Sequence, residues 1–287
     1  MKLLTIRTSG GDLPGIKTER GILDITKHLP NVSDMNSLIE NFSRLELDGL
    51  FDKAMKSGES EFSPEGSLNF GPCIDNPGKI VCVGLNYRKH AEESNAEIPK
   101  FPILFNKYNN ALAGNEEVIN LPLDSQKVDY EAELAIVIGK EAKNVSQQDA
   151  LDYVFGYCAA NDLSARDLQF RTNQWLLGKS LDGFCPVGPY LVTADEIENP
   201  NTLEISCIVN GEVRQKSNTR DMIFKCDEIV SYVSHYMTLK PGDVILTGTP
   251  EGVVLGYDRS EQVWLQDGDN VTVEIEGIGK LTNTFKG

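Results

Sequence analysis

Residues 129–134 read DYEAEL and run directly into LAIVIG. An apolar, β-branched run of this length is a strand, and side chains two apart on a strand share a face. Glu131 and Glu133 therefore project together, while Ala132, Leu134 and Ile136 pack on the other side. The apolar neighbours argue for a strand inside a sheet, not a solvated edge. Two carboxylates roughly 5–7 Å apart in partial burial repel strongly and call for a cation between them. Asp162 ends a second apolar run, YVFGYCAAN, and offers a third oxygen; Asp129 is a fallback. Three carboxylates without Cys or His form a hard oxygen site, suited to Mg²⁺, Mn²⁺ or Ca²⁺ in preference to zinc.

The rest of the chain limits the fold around this strand. After GPCIDNPGK (71–79), rich in Gly and Pro, the apolar segments are short and bounded by Gly, Pro, Asn or Asp: KIVCVGLN, GPYLVTA, LEISCIVNGEVRQ, DVILTGTP and NVTVEIEGIGKLTNTF. VNGEV and EGIGK carry hairpin-turn residues. Helices are few here: one after the N-cap Ser146 with Asp149, and one over DEIVSYVSHYMTL with Ile229, Val233 and Tyr236 at helical spacing. Strands and helices do not alternate, and neither GxGxxG nor GxxxxGK[ST] occurs, which disfavours a doubly wound nucleotide-binding fold. The expected fold is α+β and mostly β, with a small N-terminal α/β cap over residues 1–75 and a catalytic domain over 76–287. Within the cap, residues 35–58 read as helical pieces with Leu38, Phe42 and Leu45 at helical spacing.

The net charge of −16 repels nucleic acid and anionic membranes, and no basic cluster offsets it. No apolar run approaches the roughly 20 residues of a bilayer span, and the first residues turn polar too early for a secretory leader. The expected location is cytoplasmic, and the six dispersed cysteines read as buried thiols. A small anionic substrate remains compatible with this charge where a metal and a few Lys or Arg residues reverse the field.

Several residues are candidates for chemistry. His90 and Glu93, three apart in NYRKHAEES, share a face on a helical turn, so the carboxylate can orient the imidazole as a general base; an exposed helix start reads the same way. His28 lacks a nearby acidic partner in sequence, and His235 reads as structural. Lys107 in FNKYNN points either into a cleft or to water, Lys179 lies in a Gly-punctuated loop, and Arg166 and Gln169 follow Asp162 within a helical turn or two. Thr249, among Gly248, Pro250 and Gly252, stands in a turn that can present N–H groups and a hydroxyl to a carboxylate, or serve only as a tight connection.

Taken together, VGLNYRKHAEE, FNKY, DYEAELAIVIG, GYCAANDLSARDLQ, GKSLDGFCPVGP and LKPGDVILTGTPEGV, in that order from about Lys79 onward, resemble the fumarylacetoacetate hydrolase family, nearest its sugar-acid and acylpyruvate branch. The resemblance implies a mixed β-roll core, usually homodimeric. It implies one Mg²⁺ or Mn²⁺, with Ca²⁺ able to stand in, on Glu131, Glu133 and Asp162. It assigns His90 and Glu93 to a catalytic dyad on a lid, with Lys179 as a further catalytic residue. Lys107, Arg166, Gln169 and Thr249 fall to the substrate, a small anionic 2-oxo acid. The expected reaction is C–C hydrolysis of a 2,4-diketo acid through a pyruvate enolate, with oxaloacetate decarboxylation or hydroxymuconate-type isomerisation as the alternative.

Overall fold

The computed structural model describes residues 1–56, 58 and 61–287. Its centre is a mixed sheet whose main path runs Phe62–Ser63, Gly21–Asp24, Gly11–Thr18, Lys2–Thr8, Cys185–Thr193, Val154–Asn161, Ala132–Ile138, Val244–Leu246, Ile80–Gly84 and Ile103–Lys107. A five-stranded sheet, which includes Glu204–Val209, Asn270–Ile275 and Gly279–Lys286, packs on one face. The fold is α+β and dominated by strands, as the short β-branched segments require.

The strand Ala132–Ile138 is buried along its whole length because both of its faces are covered. Ala132, Leu134, Ile136 and Ile138 enter the larger core, with Ile205, Val273 and Phe285 of the five-stranded sheet. Ala135 and Val137 enter a second core with Met35, Leu38 and Leu47 of the N-terminal helices. Period-two alternation thus sorts this strand between two apolar cores, and Glu131 and Glu133 sit at its start in phase with Ala135 and Val137.

The N-terminal segment joins the sheet edge to edge. Lys2–Thr8 pairs antiparallel with Cys185–Thr193, so hydrogen bonding is continuous across the boundary expected near residue 75. The single helical spacing of Leu38, Phe42 and Leu45 is split: Asp34 caps Met35–Asn41, and Ser43 caps Arg44–Met55 through a reciprocal box with Glu46. The second helix starts a new register, which leaves Leu45 81% exposed and buries Leu47, Leu50 and Ala54. The last part of the expected helical stretch includes Ser57, outside the described residues.

Nearer the C-terminus the local signals hold. Ser146 caps a 3₁₀ turn over Gln147–Tyr153. The helix Cys226–Tyr236 buries Ile229 and Val233, leaves Tyr236 exposed and ends ahead of Pro241. Asn210 and Gly211, both at positive φ, make the turn between Glu204–Val209 and Glu212–Asn218. All six cysteines are free and buried. Among the described residues no helix is long and apolar enough to cross a membrane.

Candidate metal centre and active site

Strand pairing brings four chain segments to one place. Ala132 pairs with Asn161, so Asp162 follows directly beside Glu131, and its N–H donates to the Glu131 carbonyl at 2.9 Å. Ala135 pairs with Leu246, which brings Thr247–Thr249 alongside Leu134–Ala132. Leu246 in turn pairs with Cys82, placing Gly84 and Leu85 next to Gly248. Gly248 has φ +99°, and a Cβ there would come within 2.7 Å of the Asn86 Cβ. Glycine is thus required where its N–H donates to Glu133 Oε2 at 2.7 Å. Leu85 also holds φ +52°, a strained conformation for a bulky residue, and it lines the cavity.

Glu131, Glu133 and Asp162 are all buried, and one oxygen from each lies within 4.8 Å of the others. Oxygens on opposite sides of a divalent ion bound at about 2.1–2.4 Å stand roughly 4–5 Å apart, so the trio fits one hard cation. Their electrostatic surroundings differ sharply. Lys179 Nζ donates to Glu131 Oε2 at 2.7 Å and to Asp162 Oδ2 at 2.8 Å. Arg166 adds an Nη2 contact to Glu131 Oε1 at 2.7 Å and donates from Nε to Asp129 Oδ2 at 2.9 Å. Lys107 donates to Asp162 Oδ1 and, at 3.0 Å, to the Leu163 carbonyl. Among the described residues no cation lies within ion-pair distance of Glu133, whose hydrogen-bond donor is the Gly248 N–H.

The two glutamates consequently titrate in opposite directions. Burial and then the charges of Asp162 and Glu131 push the Glu133 carboxyl well above the usual carboxylate range. Burial acts on Glu131 too, but Lys179 and Arg166 outweigh it and hold that carboxyl well below the range. Lys179 is itself raised: Asp162 and Glu131 overcome the burial that would lower it. The expected repulsion between the two same-face glutamates is thus largely answered at Glu131 by internal cations. Glu133 is the buried carboxylate still short of positive charge, and it marks where a metal ion fits.

A cavity of about 240 Å³ opens on this cluster. Glu131, Glu133, Lys179, His90, Arg166, Gln169 and Thr249 all line it, as does an apolar wall that includes Phe105 and Trp175. His90 lies on the short helix Arg88–Glu93, and its Nδ1 is 2.7 Å from Glu93 Oε1. A carboxylate only accepts, so the shared proton sits on Nδ1 and Nε2 is left to exchange a proton. The other Glu93 oxygen accepts from the Gly252 N–H at 2.9 Å, tying the helix to the 248–256 loop.

Two candidates stand differently from their expected roles as substrate contacts. Lys107 is 2% exposed, does not line the cavity and neutralises Asp162 from inside the protein. Thr249 lines the cavity, yet its hydroxyl donates to the Ala132 carbonyl at 2.9 Å and accepts from Gln215 Nε2 at 2.9 Å. Gln169 lines the cavity and accepts from Arg166 Nη1 at 3.0 Å. His235 bonds the Ser231 carbonyl one turn back, and His28 meets Glu61, both away from the site.

Sequence reasoning missed Gln215 and the Phe105–Trp175 wall. Gln215, on the strand Glu212–Asn218, also accepts from the Ala132 N–H at 2.9 Å, so it fixes both the glutamate strand and the Thr249 turn. The strand around it, EVRQKSN, is polar almost throughout and gives no signal that singles Gln215 out. Phe105 and Trp175 meet edge to face at 5.3 Å, and the ammonium of Lys179 lies 5.1 Å from the Phe105 ring centre. Asp129, weighed as a ligand, serves instead as the anchor of Arg166; its oxygens also accept from the N–H groups of Val254 and Leu255.

The family model described as fumarylacetoacetate (FAA) hydrolase C-terminal matches residues 79–286. The chain is 50% identical over 212 residues to a Xenopus laevis protein named oxaloacetate tautomerase fahd2, mitochondrial, a match spanning 73% of this chain and 66% of the frog protein. A fumarylacetoacetate hydrolase structure from Exiguobacterium antarcticum superposes with TM-score 0.86 at 35% identity, covering 100% of this chain and 99% of the other. A maleylpyruvate hydrolase from Sphingobium sp. SYK-6, solved with manganese(II) and pyruvate, gives TM-score 0.81 at 31% identity, covering 100% and 99%. The expectation of a cytoplasmic protein is corrected by the frog relative, whose name is mitochondrial. That among the described residues no helix is long and apolar enough to cross a membrane does not distinguish the two compartments.

Proposed function

The chain belongs to the fumarylacetoacetate hydrolase family, and from the chemistry of its acidic trio we propose that it is a divalent-metal-dependent enzyme that enolises small 2-oxo acids of the oxaloacetate type. The observation that carries this reading is the cluster of Glu131, Glu133 and Asp162, two of which, Glu131 and Glu133, line one cavity together with His90, the partner of Glu93. The name of the frog relative supports enolisation over C–C hydrolysis. Mg²⁺ or Mn²⁺ suits the three oxygens, and a metal held by Glu131, Glu133 and Asp162 would supply a Lewis acid for a 2-oxo acid.

The protein's own residues account for the remaining steps. Lys179 and Arg166 hold Glu131 ionised at the cavity, while Lys107 and Lys179 pair with Asp162 behind it. Phe105 and Trp175 exclude water from one wall, which strengthens each of these interactions. His90 Nε2 takes a proton from the carbon beside the keto group and the imidazolium, stabilised by Glu93, returns it to the keto oxygen. Keto and enol forms interconvert with no atom lost.

A second reading, hydrolysis of a 2,4-diketo acid, is supported by the maleylpyruvate hydrolase with manganese(II) and pyruvate. There His90 would activate water for attack on the distal carbonyl. The test is to follow decay of the oxaloacetate enol by its ultraviolet absorbance, with Mg²⁺, with Mn²⁺ and with chelator, while assaying pyruvate and acylpyruvate cleavage in parallel. Metal-dependent enol decay faster than cleavage is expected. Acylpyruvate cleavage that outpaces enol decay would replace this reading with the hydrolytic one.

A further inference from the structure

A second cavity, of about 600 Å³, adjoins the first. Arg166, Phe170 and Leu255 line both, so these side chains form the shared boundary of the two volumes. The outer wall carries Lys127, Arg259 and Trp264, with the Lys127 ammonium 5.9 Å from the Trp264 ring centre. Both cations are exposed, and neither is ion-paired to a carboxylate among the described residues. Unpaired neighbouring cations run against the composition of a chain with 27 basic and 43 acidic residues.

The other charged groups in the outer cavity are already engaged. Arg166 faces Asp129 and Glu131. Asp167 is the one carboxylate on the wall among the described residues, and its oxygens accept from Ser125 Oγ at 2.5 Å and from the Gln126 N–H at 3.0 Å. Asp258 and Glu261 flank Arg259 on its loop but do not line the cavity. In the inner cavity, both cations are committed to the carboxylates described above, and the facing wall of Val83, Phe105 and Trp175 is apolar. A second carboxylate on a substrate therefore finds no free positive partner beside the acidic trio, and finds two beyond Phe170 and Leu255.

We propose that Lys127 and Arg259 form a subsite for the distal carboxylate of an extended 2-oxo diacid. This rests on the 2-oxo acid reading above and extends it from four-carbon acids to longer diacids. In a four-carbon diacid a single methylene separates the keto carbon from the distal carboxylate, which keeps that group in the inner cavity. Longer diacids carry it past Phe170 to the cationic wall, over the Trp264 face. Because Lys127 and Arg259 are exposed, their attraction is screened by salt.

The test uses the full chain loaded with Mn²⁺ and titrated calorimetrically with 2-oxo diacids of four to seven carbons, each against the 2-oxo monoacid of equal length. The expected diacid preference is small at four carbons and about tenfold or more at six or seven, falling between 50 and 300 mM salt. K127Q/R259Q should abolish the preference for long diacids and leave monoacid affinity within about twofold. Preference retained by the double variant, or absent from the wild type while 2-oxo acids still bind, overturns the subsite alone. Failure of every 2-oxo acid to bind the Mn²⁺-loaded protein overturns the subsite together with the underlying reading. Binding preference without turnover leaves the subsite standing and removes only the reaction.

Discussion

Substituting glutamine for each of the two strand glutamates should change the stability of the metal-free protein in opposite directions. Glu133 is 2% exposed and has one backbone donor, two carboxylates nearby and no ion-pair partner among the described residues. Glu133→Gln removes a poorly compensated buried acid, and about 1–2 kcal/mol of stabilisation is expected. Glu131 is 5% exposed and is held by Lys179 and Arg166. Glu131→Gln leaves both cations short of a partner, which costs about 3–5 kcal/mol for a buried pair broken on one side. At about 2–4 °C per kcal/mol for a chain of this size, Glu133→Gln should raise the melting temperature in chelator by about 2–8 °C, and Glu131→Gln should lower it by about 6–20 °C. Mn²⁺ at about 100 times its dissociation constant should add about 2.7 kcal/mol to the wild type and little to either variant. Scanning calorimetry of the three proteins, with chelator and with Mn²⁺, reads all of these. A Glu133→Gln protein less stable than wild type in chelator, or with the full Mn²⁺ shift, would refute the assignment of Glu133 as the unpaired ligand.

Three further outcomes follow from the same geometry. Arg166→Met should cost about 3–5 kcal/mol, since it strands the buried Asp129 as well as Glu131, and urea unfolding would report it as a lowered midpoint at unchanged slope. His90→Asn should leave Mn²⁺ affinity unchanged and slow metal-dependent enol decay about 10²- to 10⁴-fold; a parallel loss of metal affinity would place His90 among the ligands instead. A chain starting at Pro77 would lack Lys2–Thr8 and expose the edge of Cys185–Thr193, so it should aggregate on expression; a soluble, cooperatively melting product would show that the sheet tolerates loss of its N-terminal strands.

Features that depend on neighbours along the chain were readable from the sequence alone. Spacing of two on a strand placed Glu131 and Glu133 on one face, spacing of three on a helical turn joined His90 to Glu93, and Ser146 announced its own cap. Each follows from backbone periodicity, which tertiary contacts do not alter. The partition of charge within the site was not readable, because it depends on chain segments far apart: Lys179 is 48 residues from Glu131, and Lys107 is 55 from Asp162. Only the paired strands decide that these ammonium groups reach two of the three carboxylates and leave Glu133 to Gly248. The same holds for Gln215, 83 residues from the Ala132 N–H it binds, and for the Phe105–Trp175 wall. The N-terminal helices were legible as helical, but Leu45 turned outward because Ser43 began a new register, and a cap of that kind competes locally with apolar spacing. Periodicity thus placed the two glutamates on one face, whereas long-range strand pairing set their electrostatics, since Coulomb interactions depend on distances in space and on burial, which the order of residues does not specify.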